Sequence, residues 1–235
     1  MSRPSPLVAV VPLVLMVVLL TSLTASLAGC AATDRADDAG WRPLFDGDST
    51  AAWRGYRRPD VPAGGQVVDG ALTRVEPAGD LVTVEQFGDF ELAFEWMVAP
   101  GGNSGVMFHV SEDRAAPWET GPEYQILDDE AHKDGLDPRT SAGANYALHA
   151  PEDDAARPAG EWNEARLVVR GPHVEHWLNG AKLLEYELWS DDWSQRVSAS
   201  KFGAMPDYGT RPRGHIVLQD HGDRVAYRNI RVRVP

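Results

Sequence analysis

The chain has 235 residues, 43% hydrophobic and 24% charged, with 22 Gly and 17 Pro, a balance that excludes disordered and collagen-like chains and suits one folded domain. A formal charge of −13 argues against nucleic acid and anionic lipid surfaces as partners, and a single cysteine excludes a disulfide framework. Neither property selects a substrate, because a neutral partner such as a sugar is indifferent to the charge.

The first thirty residues, MSRPSPLVAVVPLVLMVVLLTSLTASLAGC, carry one cation at Arg3, an apolar run from Leu7 to Leu20, and small residues up to Cys30. That run falls short of the roughly 20 residues a spanning helix needs, so the segment reads as an export signal. Leu27-Ala28-Gly29-Cys30 resembles the bacterial lipoprotein signal. The resemblance implies cleavage before Cys30, lipidation of Cys30, and an exported protein anchored to a membrane of the cell envelope by that lipid. A plain signal peptide that contains a Cys is the simpler alternative. Removing residues 1–29 takes away Arg3 alone, leaving 21 cations against 35 anions and a formal charge of −14. Residues 30–40 then read as a polar tether and 41–235 as the folded domain.

From Trp41 onward the pattern has period two. In FELAFEWMV, Phe90, Leu92, Phe94, Trp96 and Val98 alternate with polar positions, as a half-buried strand requires. Three more strands are predicted within 165–188, the first two parted by Gly171-Pro172 and the last two by Asn179-Gly180, a dipeptide suited to a type I′ hairpin turn. Further runs fall at 66–75, 81–85, 104–110, 122–127, 144–148, 214–219 and 225–234. No segment holds a helical period over a dozen residues. Many short strands punctuated by Gly, Pro and Asn predict an all-β fold, a two-sheet antiparallel β-sandwich of the jelly-roll kind. Longer loops are expected at 99–103, 111–121, 128–143, 150–161 and 189–212, where function tends to reside.

Strand parity sorts side chains by face. In GPEYQILDD, Tyr124 and Ile126 suit a core, which turns Glu123 and Gln125 the other way. In NSGVMFHV, Val106, Phe108 and Val110 form the apolar face and Asn103, Gly105, Met107 and His109 share the opposite one. In GHIVLQD, Ile216 and Leu218 leave His215 and Gln219 opposite. Amide and imidazole groups collected on one face point to a ligand held by directed hydrogen bonds to neutral hydroxyls; an ordinary solvated face is the alternative. Glu123 is a candidate general acid or base, or half of a structural ion pair. His221, in QDHGDR, is a second candidate for proton transfer, or a turn residue. Arg228 shares parity with Ile230, Val232 and Val234, which predicts an inward guanidinium; an internal ion pair is the first reading and a substrate contact the second. Asp128, Asp129 and Glu130 read as an acidic turn. No zinc site, phosphate loop, nucleotide fingerprint or nucleophile elbow is present, and no cofactor is required; a divalent cation is left open.

The ordered blocks LFDGDSTAAWRGY, DLVTVEQFGDFELAFEW, GGNSGVMFHV, GPEYQILDD, GEWNEARLVVRGPHVEHWLNG, KFGAMPDYG and GHIVLQDHGDRVAYRNIRV resemble the 3-keto-disaccharide hydrolase family over Trp41 to Val234. Two positions depart from its pattern: Gln66 stands where Trp is expected, and His109 where Arg is common. The resemblance implies a concanavalin A-like sandwich and cleavage of glycosides already oxidised to a ketone at C3. That ketone acidifies the C2 hydrogen, so a base removes it, the enolate expels the C1 oxygen, and water adds. Glu123 and His221 are the base and acid candidates, unassigned between the two roles, with a metal-ligand role for Glu123 also open. Asn103, Gln125 and Gln219 would orient hydroxyls and the ketone, with His109 and Arg228 as further substrate contacts. Two rivals remain, a non-catalytic carbohydrate-binding module and a retaining glucanase. The second wants two in-line carboxylates on one strand, whereas this strand offers Glu123, Gln125 and Leu127.

Overall fold

The alternation in FELAFEWMV organises the molecule. In the computed structural model, which describes Met1 and residues 39–235, strand β6 (Phe90–Val98) buries Phe90, Leu92, Phe94, Trp96 and Val98 between two sheets. The expected export signal and Cys30 lie outside the described residues, as does most of the expected tether. The first of the earlier strands is β1 (Trp41–Phe45), followed by β2 (Trp53–Gly55), β3 (Gly65–Val68), β4 (Ala71–Arg74) and β5 (Leu81–Thr83). After β6 come β7 (Asn103–Val110), β8 (Glu123–Leu127), β9 (Asn163–Arg170), β10 (His173–Leu178), β11 (Ala181–Glu187), β12 (His215–Leu218) and β13 (Val225–Arg233).

The larger sheet runs β11-β10-β9-β6-β13-β4-β3, with β1 also paired to β13; the smaller runs β2-β5-β12-β7-β8. The pairings are antiparallel, and the inner faces meet in one apolar core, so the two-sheet antiparallel sandwich expected from the sequence is the fold. Phe94 of β6 meets Tyr124 of β8 edge to face, with centroids 5.7 Å apart. The hairpin at Asn179-Gly180 has φ of 49° and 86°, the two positive values a type I′ turn demands.

The outer face of the larger sheet is closed by its own charges. Glu91 accepts from Arg170 at 2.5 Å and Arg233 at 2.7 Å, and Glu95 accepts from Arg228 and Asn229. Among the described residues, the α-helix α1 (Asp191–Ala199) starts where the Ser190 hydroxyl accepts the Trp193 amide and tucks Trp193 into the core. It lies within the predicted 189–212 loop. Among the described residues, no helix is long and apolar enough to cross a membrane.

Residues 144–148 differ from expectation. They form no named strand; Asn145 makes isolated bridges to Tyr124 and His149, and Ala147 turns the backbone through φ 61°. The segment is a strap laid along the free edge of β8. Because Phe94 packs against both Tyr124 and Tyr227, Phe94→Ala is expected to cost about 3–5 kcal/mol of folding stability, measured by urea denaturation.

Candidate active site

β7 and β8 pair so that Gly105 lies opposite Gln125 and Met107 opposite Glu123. With Tyr124 and Ile126 drawn into the core, Glu123 and Gln125 face away from it. Gln219 joins them, because its amide donates to the Gly105 carbonyl at 2.9 Å and its side chain shares parity with Val217 on that outer face. Asn103 sits two residues before Gly105 on the same face.

Two straps cover Glu123. In the first, the Tyr146 amide donates to the Glu123 carbonyl at 3.0 Å, and Gly143 and Ala144 bond both ends of Gln125. In the second, residues 200–209 bring Lys201 Nζ to 4.2 Å from the Tyr146 ring, while the Gly209 amide donates to Thr120 just before β8. Glu123 is left 6% exposed.

Its carboxyl fits only because residue 105 has no side chain. A methyl group there would sit 2.1 Å from Glu123 Oε1, well inside van der Waals contact. Burial pushes the Glu123 carboxyl up to about 8; Lys201 opposes that rise, and Asp80 and Asp134 add to it. No hydrogen bond contributes to the shift. This carboxyl therefore rests on an apolar and backbone surface, with its proton held by desolvation.

Around it are polar atoms without partners. Asn103 Oδ1, Gln125 Oε1 and Gln219 Oε1 are buried and unpaired, and so is the Tyr208 hydroxyl. Gln125 Nε2 donates to the Thr140 carbonyl at 3.1 Å, which fixes the amide and turns its oxygen to the unpaired side. An orphaned buried acceptor costs about 1–3 kcal/mol, so three of them on one face favour a ligand that brings several O–H donors.

The other predicted residues are placed differently. His221 is a loop residue with 48% of its side chain exposed, 4.0 Å from Asp223 and edge-on to His132. It is linked to the site through Asp223, which accepts the Asn103 amide at 3.2 Å. His109 is not on the Glu123 face. Between the pairs His215↔Val110 and Val217↔Met107, β7 carries one extra residue, and His109 takes φ 52°. This bulge turns its ring toward Phe90 and Phe108, with Nε2 bonded to the Gly88 carbonyl, and sends Val110 to the Met107 side instead. Burial lowers the His109 pKa.

Arg228 is corrected in the same way. Asn229 at φ 51° bulges β13 between Arg228 and Arg231, so Arg228 faces outward from the larger sheet, paired with Glu95 and 4.1 Å over the Trp162 ring. The ion pair is present, but on the opposite side of the molecule from Glu123. In the acidic turn, Asp128 accepts the Gly101 and Glu130 amides and Asp129 accepts the Ala142 amide, so these carboxylates anchor loops. Among the described residues, the cluster with metal-ligand spacing is His173, Glu175 and Glu185, which belongs to the larger sheet and does not include Glu123.

Parity missed Lys201, Tyr146 and Tyr208, which reach the site from straps rather than strands. Lys201 and Tyr208 fall in the block KFGAMPDYG, which has no periodicity to place them, and Tyr146 falls in the 144–148 run that reads as a strand but forms a strap.

Residues 40–233 match the family described as the 3-keto-alpha-glucoside-1,2-lyase-like domain. The chain belongs to this family. A 3-keto-disaccharide hydrolase of Bacteroides thetaiotaomicron is 34% identical over 230 residues, covering 84% of this chain and 79% of that protein. A proposed glycosyl hydrolase from Parabacteroides distasonis, known from a crystal structure, superposes with a TM-score of 0.78 at 37% identity, covering 86% of this chain and 96% of its own. A second structure from the same organism gives 0.67 at 29% identity, covering 83% and 99%. Membership in the 3-keto-glucoside lyase-like family spans the whole sandwich, so the Glu123 face lies within the matched domain.

Two measurements probe this geometry. Gly105→Ala is expected to keep the fold, since the displaced atoms, Glu123 Cγ, Cδ and Oε1, are side chain and not backbone, while catalytic rate falls by at least about 10²-fold as the Glu123 carboxyl moves about 1 Å. The second concerns pH. The folded-state pKa of Glu123 lies above its ordinary 4.5, so its favourable contribution is complete below 4.5 and is lost as pH rises through about 8. Glu123→Gln should therefore melt progressively higher than the parent between pH 5 and about 8.5, by differential scanning calorimetry.

Proposed function

We propose that this protein is a carbohydrate-active enzyme that cleaves 3-keto-glycosides, with Glu123 as the base that removes the C2 proton. The named activity of the Bacteroides relative and the family match support the substrate class. The observation that carries the catalytic assignment is a buried carboxyl without a hydrogen bond, on a sheet face that also holds three acceptors lacking donors.

The chemistry follows from those groups. A carbon acid flanked by a ketone needs a base stronger than an ordinary carboxylate, and desolvation makes Glu123 one by moving its pKa toward 8. Sugar hydroxyls that donate to Asn103, Gln125 and Gln219 hold the ring so that C2–H meets Glu123. Proton removal leaves an enolate, which expels the C1 oxygen. His221, exposed on its loop beside Asp223, supplies the proton to the departing alkoxide. Water then adds across the C1=C2 bond and completes net hydrolysis.

This route needs one base beneath the ring, not two flanking carboxylates. The absence of a second in-line carboxylate at Leu127 is consistent with it. We also place the protein in the cell envelope, held by a lipid on Cys30 and supported by the LAGC signal; Cys30→Ser should shift it from the membrane to the soluble fraction on cell fractionation.

The decisive assay offers the purified protein 3-keto and unmodified forms of one glycoside, with and without a chelator. Sugar release from the oxidised form alone is expected. For the wild type, kcat/KM should rise with pH toward a limb near 8, and Glu123→Gln should lose about 10²–10⁴-fold. Equal turnover of the unmodified glycoside, or near-normal turnover by folded Glu123→Gln, would remove this reading.

A further inference from the structure

The chain has six tyrosines, and five of their hydroxyls have protein partners. Tyr56 donates to the Ser111 and Arg114 carbonyls and Tyr124 to the Trp177 carbonyl; Tyr146 reaches Asp134, Tyr186 reaches His176, and Tyr227 shares a hydrogen bond with Ser104. Tyr208 has none, although the residue is buried. A buried hydroxyl left unpaired costs about 1–3 kcal/mol, a cost that phenylalanine would avoid at the same position. The hydroxyl is thus retained against stability.

Tyr208 is also held rigid. Its ring lies parallel to Phe202 at 3.9 Å and to Trp193 at 6.0 Å. The next residue, Gly209, is pinned on both sides, its amide donating to Thr120 at 2.8 Å and its carbonyl accepting the Trp189 indole at 2.7 Å. Thr120 lies three residues before Glu123, and Phe202, on which the ring stacks, follows Lys201. Glu123 lies within the electrostatic reach of the phenol, and burial holds that phenol well above its ordinary pKa, so it stays a donor wherever Glu123 titrates. A rigidly held O–H with no partner, on the strap that packs over the Glu123 end of β8, is a preorganised donor waiting for an acceptor.

We propose that Tyr208 is the oxyanion donor of this site, its hydroxyl hydrogen-bonding the C3 oxygen of the sugar as that oxygen takes on enolate charge. The assignment rests on the reading of Glu123 given above and deepens it. Glu123 takes the C2 proton; the C–H electron pair becomes the C2–C3 π bond, and the ketone π pair moves to O3. Tyr208 shares its hydrogen with O3 but keeps its proton. When the O3 pair re-forms the ketone, the C1–O bond breaks, C1=C2 forms, and the leaving oxygen takes a proton from His221. The elimination consumes no oxidant or reductant, and water is the one further reactant, adding afterwards across C1=C2.

Tyr208→Phe separates this role from a structural one. With a 3-keto-glycoside, kcat should fall about 10²-fold and KM should change by less than about threefold, while the pH limb near 8 stays in place. The melting temperature should equal or exceed that of the wild type, because a buried orphan has been removed. Enolisation is read alone with a 3-keto sugar that carries hydrogen in place of the C1 leaving group, by following deuterium entry at C2 in heavy water by NMR. Tyr208→Phe should slow that exchange by the same factor, and Glu123→Gln should abolish it. Wild-type rates in both assays for Tyr208→Phe would overturn the donor role while leaving the base assignment standing. A rate loss accompanied by a lower melting temperature and normal C2 exchange would make Tyr208 a packing residue and overturn the role equally. No cleavage and no exchange by the wild type would overturn both proposals together.

Discussion

The site depends on where Tyr124 goes. Its ring is wholly buried against Phe94 and stacked on His176 at 4.8 Å, and its hydroxyl donates to the Trp177 carbonyl at 3.0 Å, tying the smaller sheet to β10 of the larger. Two-residue alternation then leaves Glu123 and Gln125 no choice of face. A one-residue slip of β8 would put a carboxyl and an amide into the apolar core and bring Tyr124 out of it. Core packing therefore sets the geometry of this face, and a strand holds the Glu123 carboxyl more firmly than a loop would.

The two outer faces of the sandwich are built on opposite rules. On the larger sheet Glu91 is matched by Arg170 and Arg233, and Glu95 by Arg228 and Asn229. On the smaller sheet, Glu123, Asn103, Gln125 and Gln219 are left wanting partners. Unmet hydrogen bonds and a desolvated carboxyl lower stability, and the surplus burial of the core offsets them. The matched face is inert for the same reason that the unmatched one is receptive.

Much of this was legible in the sequence because a half-buried strand writes its faces in alternation. Glu123, Gln125, Asn103 and Gln219 were sorted correctly from Tyr124, Ile126, Val106 and Leu218. Parity failed at His109 and Arg228, and in both cases a bulge with a non-glycine residue at positive φ added one residue to the count. Those bulges form at His109 and at Asn229, neither of which announces a break as glycine or proline would. The straps were the other blind spot. Lys201, Tyr146 and Tyr208 reach Glu123 through hydrogen bonds between loop backbone and distant segments, a kind of contact that local pattern does not encode.

The place of β1 has a consequence for the Glu123 face. β1 pairs with β13, so the chain enters the fold on the larger sheet, whose outer face is already satisfied by its own ion pairs. Trp41 therefore begins the fold on the sheet that does not carry Glu123. The first strand of the domain and the buried carboxyl thus belong to different sheets, so fraying of β1 leaves the pairing of β7 with β8 untouched.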